Sequence, residues 1–225
     1  MIPLWTEAEA MLQQIQIYSH AQNKPVTIKG NVDMLTCIGI GTDAAVFQYH
    51  PYPQYAFKLY APNKLEQIEK EVKTYEQLKG SPYHPTYYGR GNNYIVISYE
   101  EGVTLYDCLL RGITIPKHIV EEVDEAIEYA RKKGLNPRDI HLKNILLQHN
   151  HAKLIDVSEY NEPGNDDRWK HLKKGYDNYY HLISGKSVPS YIVETVVKWY
   201  QHYQITEATF DEFTQHVSKL INFKK

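Results

Sequence analysis

The stretch GLNPRDIHLKNILLQ, residues 134–148, sets Arg138, Asp139, His141, Lys143 and Asn144 close together and then runs into the apolar triplet Ile145-Leu146-Leu147. A long amphipathic pattern precedes it. Ile119, Val123, Ile127 and Ala130 repeat at helical spacing within 116–133, and Gly134 supplies the stop. A short apolar pair follows, NILLQ and AKLID around His149-Asn150-His151, with Asp156 ending the second strand. Two carboxylates and an amide oxygen at strand ends, from Asp139, Asp156 and Asn144, suit a hard cation such as Mg²⁺. Taken singly, Asp139 and Asn144 serve equally well as turn residues that bond loop amides.

Upstream, the chain reads as strand-rich. Thr6 and Glu9 form a capping box that opens an N-terminal helix over about 6–20, with Ala8, Met11, Leu12 and Ile15 on one face. That helix is expected to cover the strands that follow. VTIKG, LTCIGIG, AAVFQYH and QYAFKLY are β-rich segments between turn signals across 26–60. A helix starts near Asn63, with Leu65, Ile68, Val72 and Tyr75 on its apolar stripe, and Gly80-Ser81-Pro82 ends it. PTYYGR and NYIVISYE form a strand pair. After Glu100-Glu101-Gly102 helices dominate: Ile192, Val196, Tyr200 and Tyr203 share one face, and Phe210, Phe213, Val217 and Leu220 another, entered through a capping box from Thr209 to Glu212. The fold class is α+β: a single domain with a strand-rich lobe over 1–99, a hinge at 100–102, a helical lobe over 103–225, and a cleft between the lobes.

The 225 residues are 42% hydrophobic and 23% charged with a formal net charge of −2, which excludes a disordered or polyelectrolyte chain and gives no global argument for nucleic-acid binding. Cys37 and Cys108 offer neither a disulfide framework nor zinc spacing, so a cytoplasmic setting is the default. No apolar run approaches the roughly 20 residues of a membrane span. The start, MIPLWTEAEA, is acidic and lacks a secretion signal. The acceptor, the oligomeric state and any activating signal are not encoded in a readable way.

Arg138-Asp139, then Asn144, then an aspartate closing a strand resembles the catalytic loop and metal aspartate of the protein-kinase superfamily. The other parts of that family follow in order. Gly39-Ile40-Gly41-Thr42-Asp43-Ala44-Ala45-Val46 resembles the glycine-rich loop over nucleotide phosphates, with Ala44 in place of the third glycine; alone it reads as a hairpin turn. Lys58, inside the alternating strand Ala56-Phe57-Lys58-Leu59-Tyr60, takes the place of the phosphate-holding lysine. Of the glutamates on the next helix, Glu71 lies about 60° from the centre of the apolar stripe, while Glu66, Glu69 and Glu76 lie about 80° or more away. Glu71 is therefore the expected partner of Lys58. The stretch from Tyr94 to Gly102 resembles the strand and hinge that seat the adenine, with Ile97 at the back and Tyr99 in the hinge approach.

The resemblance spans roughly 36–169 and implies a kinase-like fold, ATP and Mg²⁺ as cofactors, and transfer of the γ-phosphate to a serine or threonine hydroxyl of a protein substrate. It implies Asp139 as the acceptor base, His141 near the transferred phosphate, Asn144 and Asp156 as metal ligands, and Gly39, Gly41, Val46, Lys58, Glu71, Ile97 and Tyr99 as nucleotide-binding residues. Departures are evident. Pro137 replaces the usual histidine, His141 replaces a lysine as in aminoglycoside and choline kinases, and the metal motif reads Asp156-Val157-Ser158. Asp167-Arg168-Trp169, similar to the family's Asp-x-Trp, follows Asp156 closely and leaves no room for a usual activation segment. Such trimming resembles the minimal atypical kinases, the RIO type among them. Two alternatives stay open: a small-molecule phosphotransferase, favoured by His141, and a nucleotide-binding pseudokinase scaffold, favoured by Ala44, His141 and Val157-Ser158.

Overall fold

A computed structural model describes the chain except residues 1, 2, 23, 165, 166, 203–206 and 223–225, and except the side chains of 201, 202, 207, 208, 211 and 218–222. Tyr203 and Leu220, expected on apolar helix faces, lie outside the described residues. The chain divides into two compact units. The first comprises Met1–Glu101, Glu125–Pro137 and Lys153–Pro163; the second comprises Gly102–Asp124, Arg138–Ala152 and Gly164–Lys225.

The first unit is built on a five-stranded antiparallel sheet. Its strands are β3 (Leu35–Ile40), β4 (Ala44–Tyr49), β5 (Tyr55–Tyr60), β6 (Tyr87–Arg90) and β7 (Tyr94–Ser98), in the order β3-β4-β5-β7-β6. Register is explicit: Val46 opposes Lys58, Lys58 opposes Ile95, and Ala56 opposes Ile97. Apolar residues lie on both faces of the central strands, and they feed two cores. One holds Phe47, Phe57, Leu59, Tyr94 and Val96; the other holds Ala44, Ala56, Ile95 and Ile97 with Ile68, Val72 and Tyr75 of α2 (Glu66–Gln77). The second core also takes Ala130 and Leu135, from the end of α4 (Lys117–Lys132) and just beyond it, together with Val157 and Tyr160. His84 is buried beside Tyr160, with Nδ1 2.8 Å from the Ser81 hydroxyl and the two rings edge-on at 5.8 Å.

The N-terminal segment departs from the expected helix over 6–20. It forms a 3₁₀ turn, Leu4–Ala8, a single helical turn α1 (Glu9–Leu12), and then β1 (Gln16–Tyr18), which pairs with β2 (Thr27–Lys29). Ile15 and Ile17, two residues apart, are both buried, which is strand spacing and outweighs the helical start. The expected capping box is absent. Thr6 Oγ1 donates instead to the Pro3 carbonyl. The expectation of a covering role matches the packing, since Ala8, Leu12, Ile15 and Ile17 join the core under the sheet. Trp5 presses on β6 at Gly89, where a Cβ would sit 2.5 Å from the indole ring.

In the second unit β8 (Val103–Thr104) pairs with β9 (Ile145–Gln148), whose sheet neighbour is β10 (His151–Leu154). The β9–β10 turn uses His149 and Asn150 at φ 46° and 67°, the left-handed pair that a two-residue hairpin needs. Helix α3 (Leu105–Arg111) is capped by Thr104, whose hydroxyl accepts from the Asp107 amide and donates to the Asp107 carboxylate. Helices α5 (Arg168–Tyr179), α6 (Ser190–His202) and α7 (Glu207–Asn222) complete the unit. Helix α7 begins at Glu207, upstream of the capping box expected at Thr209. Val188, Ile192 and Val193 pack with Tyr106, Leu110 and Ile183.

Candidate active site

The expected site residues fall into two constellations, one in each unit. In the first, alternation along β5 points Lys58 and Tyr60 the same way, and Glu71 sits on the buried side of α2. Lys58 Nζ donates to both Glu71 oxygens at 2.7 and 2.9 Å and lies 3.3 Å from Asp156 Oδ1. Glu71 is 1% exposed, whereas Glu66, Glu69 and Glu76 are on the surface. Burial opposes the charge on Lys58. Asp156, and after it Glu71, outweigh that and hold the ammonium above the usual lysine range.

Asp156 lies two residues past β10 rather than inside the strand. Burial works against its ionisation, but the Lys58 ammonium and the Ser158 amide, which donates to Oδ1 at 3.0 Å, keep its carboxyl below the usual range. The side chain keeps 34% exposure. An ionised, partly open carboxylate is the donor a hard divalent cation takes.

The nucleotide-facing residues expected from the resemblance are placed as follows. Gly39 opposes Val46 in the β3–β4 ladder, and the Gly41 amide donates to the Ala44 carbonyl at 2.9 Å, so the glycine-rich stretch is a closed hairpin turn. Ala44, Ile97 and Val157 belong to one apolar cluster, against which Val46 and Tyr99 pack. The Tyr99 amide donates to the Gln54 carbonyl at 2.8 Å.

The second constellation lies on the loop before β9. Asp139 has φ 55°, a left-handed conformation that aspartate tolerates better than most residues. The Asn144 amide nitrogen donates to the Asp139 carbonyl at 3.2 Å, and the Asn144 backbone N–H donates to the His141 carbonyl at 2.8 Å. Spending its nitrogen on the loop leaves the Asn144 side-chain oxygen as the acceptor, again a hard ligand. The Lys143 N–H donates to His141 Nδ1 at 3.2 Å. In a neutral ring the proton then sits on Nε2, which faces Asp139 Oδ2 at 3.6 Å, too far for a hydrogen bond. Arg168, at the start of α5, donates through Nη1 to Asp139 Oδ1. Among the described residues no three His, Cys, Asp or Glu side chains gather as a metal cage; an aspartate and an asparagine do not constitute one.

Two participants were not singled out from sequence. Tyr60 is legible in the sequence, because residues two apart in a strand share a face and Tyr60 follows Lys58 by two. Arg168 is not, because nothing in the spacing links position 168 to position 139.

A buried lysine–glutamate pair between a strand and a helix, an aspartate after a short hairpin, and an aspartate–asparagine loop ahead of that hairpin define a protein-kinase-like chain. The comparisons agree. A Bacillus subtilis (strain 168) protein named "Putative serine/threonine-protein kinase YrzF" is 34% identical over 199 residues, covering 87% of this chain and 92% of that protein. A mouse protein, testis-specific serine/threonine-protein kinase 3, is 32% identical over 89 residues, 38% of this chain and 30% of its own length. No family model matches. The chain belongs to the protein-kinase-like superfamily.

Proposed function

We propose that the chain is an ATP-dependent protein kinase that phosphorylates serine or threonine hydroxyls. The observation that carries this reading is the closed Lys58–Glu71–Asp156 network, in which a fully buried carboxylate holds a lysine that also reaches a second carboxylate. A buried charge set of this kind costs several kcal/mol to assemble, so a purely structural role is poorly served by it. Lys58 would hold the nucleotide phosphates, and the apolar cluster of Ala44, Ile97 and Val157, with Val46 and Tyr99, would receive the adenine face. Asp139 would orient the acceptor hydroxyl and take its proton as the oxygen attacks the γ-phosphorus and ADP leaves. Asn144 and Asp156 would hold magnesium, whose charge, when bound, offsets the negative charge on the phosphate oxygens. His141, bearing its proton on Nε2, would donate one hydrogen bond near the transferred group. The free thiols Cys37 and Cys108 accord with a reducing cytoplasm, and no helix among the described residues is long and apolar enough to cross a membrane.

His141 also favours a second reading, in which the acceptor is a small metabolite. Incubation with labelled ATP and Mg²⁺, with and without a generic protein acceptor, separates the two. Label on protein, lost in Lys58→Ala and Asp139→Asn, is the expected result. Turnover only with an added metabolite moves the acceptor to the second reading, and nucleotide binding without transfer to any acceptor would reduce the chain to a scaffold.

A further inference from the structure

Resting on the phosphotransferase reading, we infer that Tyr60 is a positioning residue: its hydroxyl fixes the Glu71 carboxylate, and with it the docked position of α2 and the aim of Lys58. The Tyr60 hydroxyl donates to Glu71 Oε2 at 2.5 Å, and both side chains are almost wholly buried. Glu71 thus receives three donated bonds, two from Lys58 and one from Tyr60. Lys58 is divided between two carboxylates, so its hold on Glu71 alone is not exclusive. The phenol supplies a neutral anchor that Asp156 does not compete for. A hydrogen bond to a buried charged acceptor is among the stronger ones, and its loss leaves a carboxylate under-satisfied in an apolar surround.

A separate set of contacts brackets the same glutamate. Asn161 donates from Nδ2 to the Lys70 carbonyl at 3.2 Å and to the Thr74 hydroxyl, and Lys70 pairs with Glu162 at 2.9 Å. Residues immediately before Glu71 and one turn after it are therefore tied to the segment that follows Asp156. Tyr60 holds the carboxylate itself, and the Asn161–Glu162 turn holds the helix backbone that carries it.

Tyr60→Phe removes one hydroxyl and keeps the ring. In the full chain it is expected to lower kcat about tenfold, with the KM for ATP changing less than about threefold. In a Glu71→Ala background the same change is expected to cost less than about twofold, because the acceptor through which Tyr60 acts is gone. Equal losses in both backgrounds would overturn the inference. Amide hydrogen exchange reads it without turnover. Tyr60→Phe should speed exchange within 66–77 about tenfold while α4 is unchanged. Unaltered exchange in α2 would overturn the inference. Absence of transfer in the unmodified chain would instead overturn the phosphotransferase reading, and exchange would still decide the role of Tyr60.

Discussion

In the first unit four side chains, Lys58, Tyr60, Glu71 and Asp156, close on one another, and Glu71 is shut off from solvent. In the second, Asp139, His141, Asn144 and Arg168 meet on a loop, and Asp139 and Arg168 are each more than a third exposed. In the first group Lys58, Tyr60 and Glu71 are carried by a strand and a helix, with Asp156 just past β10; in the second, Asp139, His141 and Asn144 sit on a loop bonded to itself around a left-handed aspartate. Water screens the Asp139–Arg168 pair and does not reach Glu71, so the Lys58–Glu71 and Asp139–Arg168 ion pairs have unequal weight.

The contrast can be broken at four points. On the proposed function, Asp156→Asn is expected to lower kcat on the order of 10³-fold, because it removes the anionic ligand that would hold magnesium against the phosphates. Labelled-ATP turnover checks it, and a loss under tenfold would remove Asp156 from the chemistry. Glu71→Leu leaves the buried Lys58 ammonium with Asp156 alone and removes the acceptor of the Tyr60 hydroxyl, and is expected to destabilise the fold by about 3 kcal/mol, read from the denaturant midpoint. His84 tests burial in the main. Burial, helped by the Lys153 charge, pulls its pKa to about 4. The unfolded chain takes up that proton first, so stability is full above the ordinary histidine value of about 6.5 and falls as pH drops towards about 4, by about 3 kcal/mol in all. Melting curves across that window should show the slope, and His84→Gln should flatten it. Arg168→Met, at the exposed end of the comparison, should change stability by less than about 1 kcal/mol. A larger loss by chemical denaturation would show that the loop pair is less screened than its exposure implies.

What could be read beforehand follows the same division. Alternation along β5 and helical spacing along α2 are local rules, so once the resemblance asks for a lysine and a glutamate partner, angle along α2 selects Glu71 for Lys58. The Thr104–Asp107 cap ahead of α3 was equally readable, though α3 was not assigned. Asp139's left-handed backbone and Arg168's reach to it depend on how a loop closes, and no local rule carries that. The N-terminal error has the opposite origin. Glu9 to Leu12 form a helical turn, but Ile17 gains its burial in a strand beside Thr27–Lys29 with Ile15 buried just ahead of it, and tertiary packing overrides the local start.

The meeting of Trp5 with Gly89 makes two distant positions one choice. A single methyl group at 89 would land on the indole, so alanine there would have to push the Trp5 ring off β6 and out of its packing against the core that holds Ala8 and Leu12. Relatives that keep a tryptophan at 5 are expected to keep glycine at 89, and those with a smaller residue at 5 are free to fill the gap from the other side.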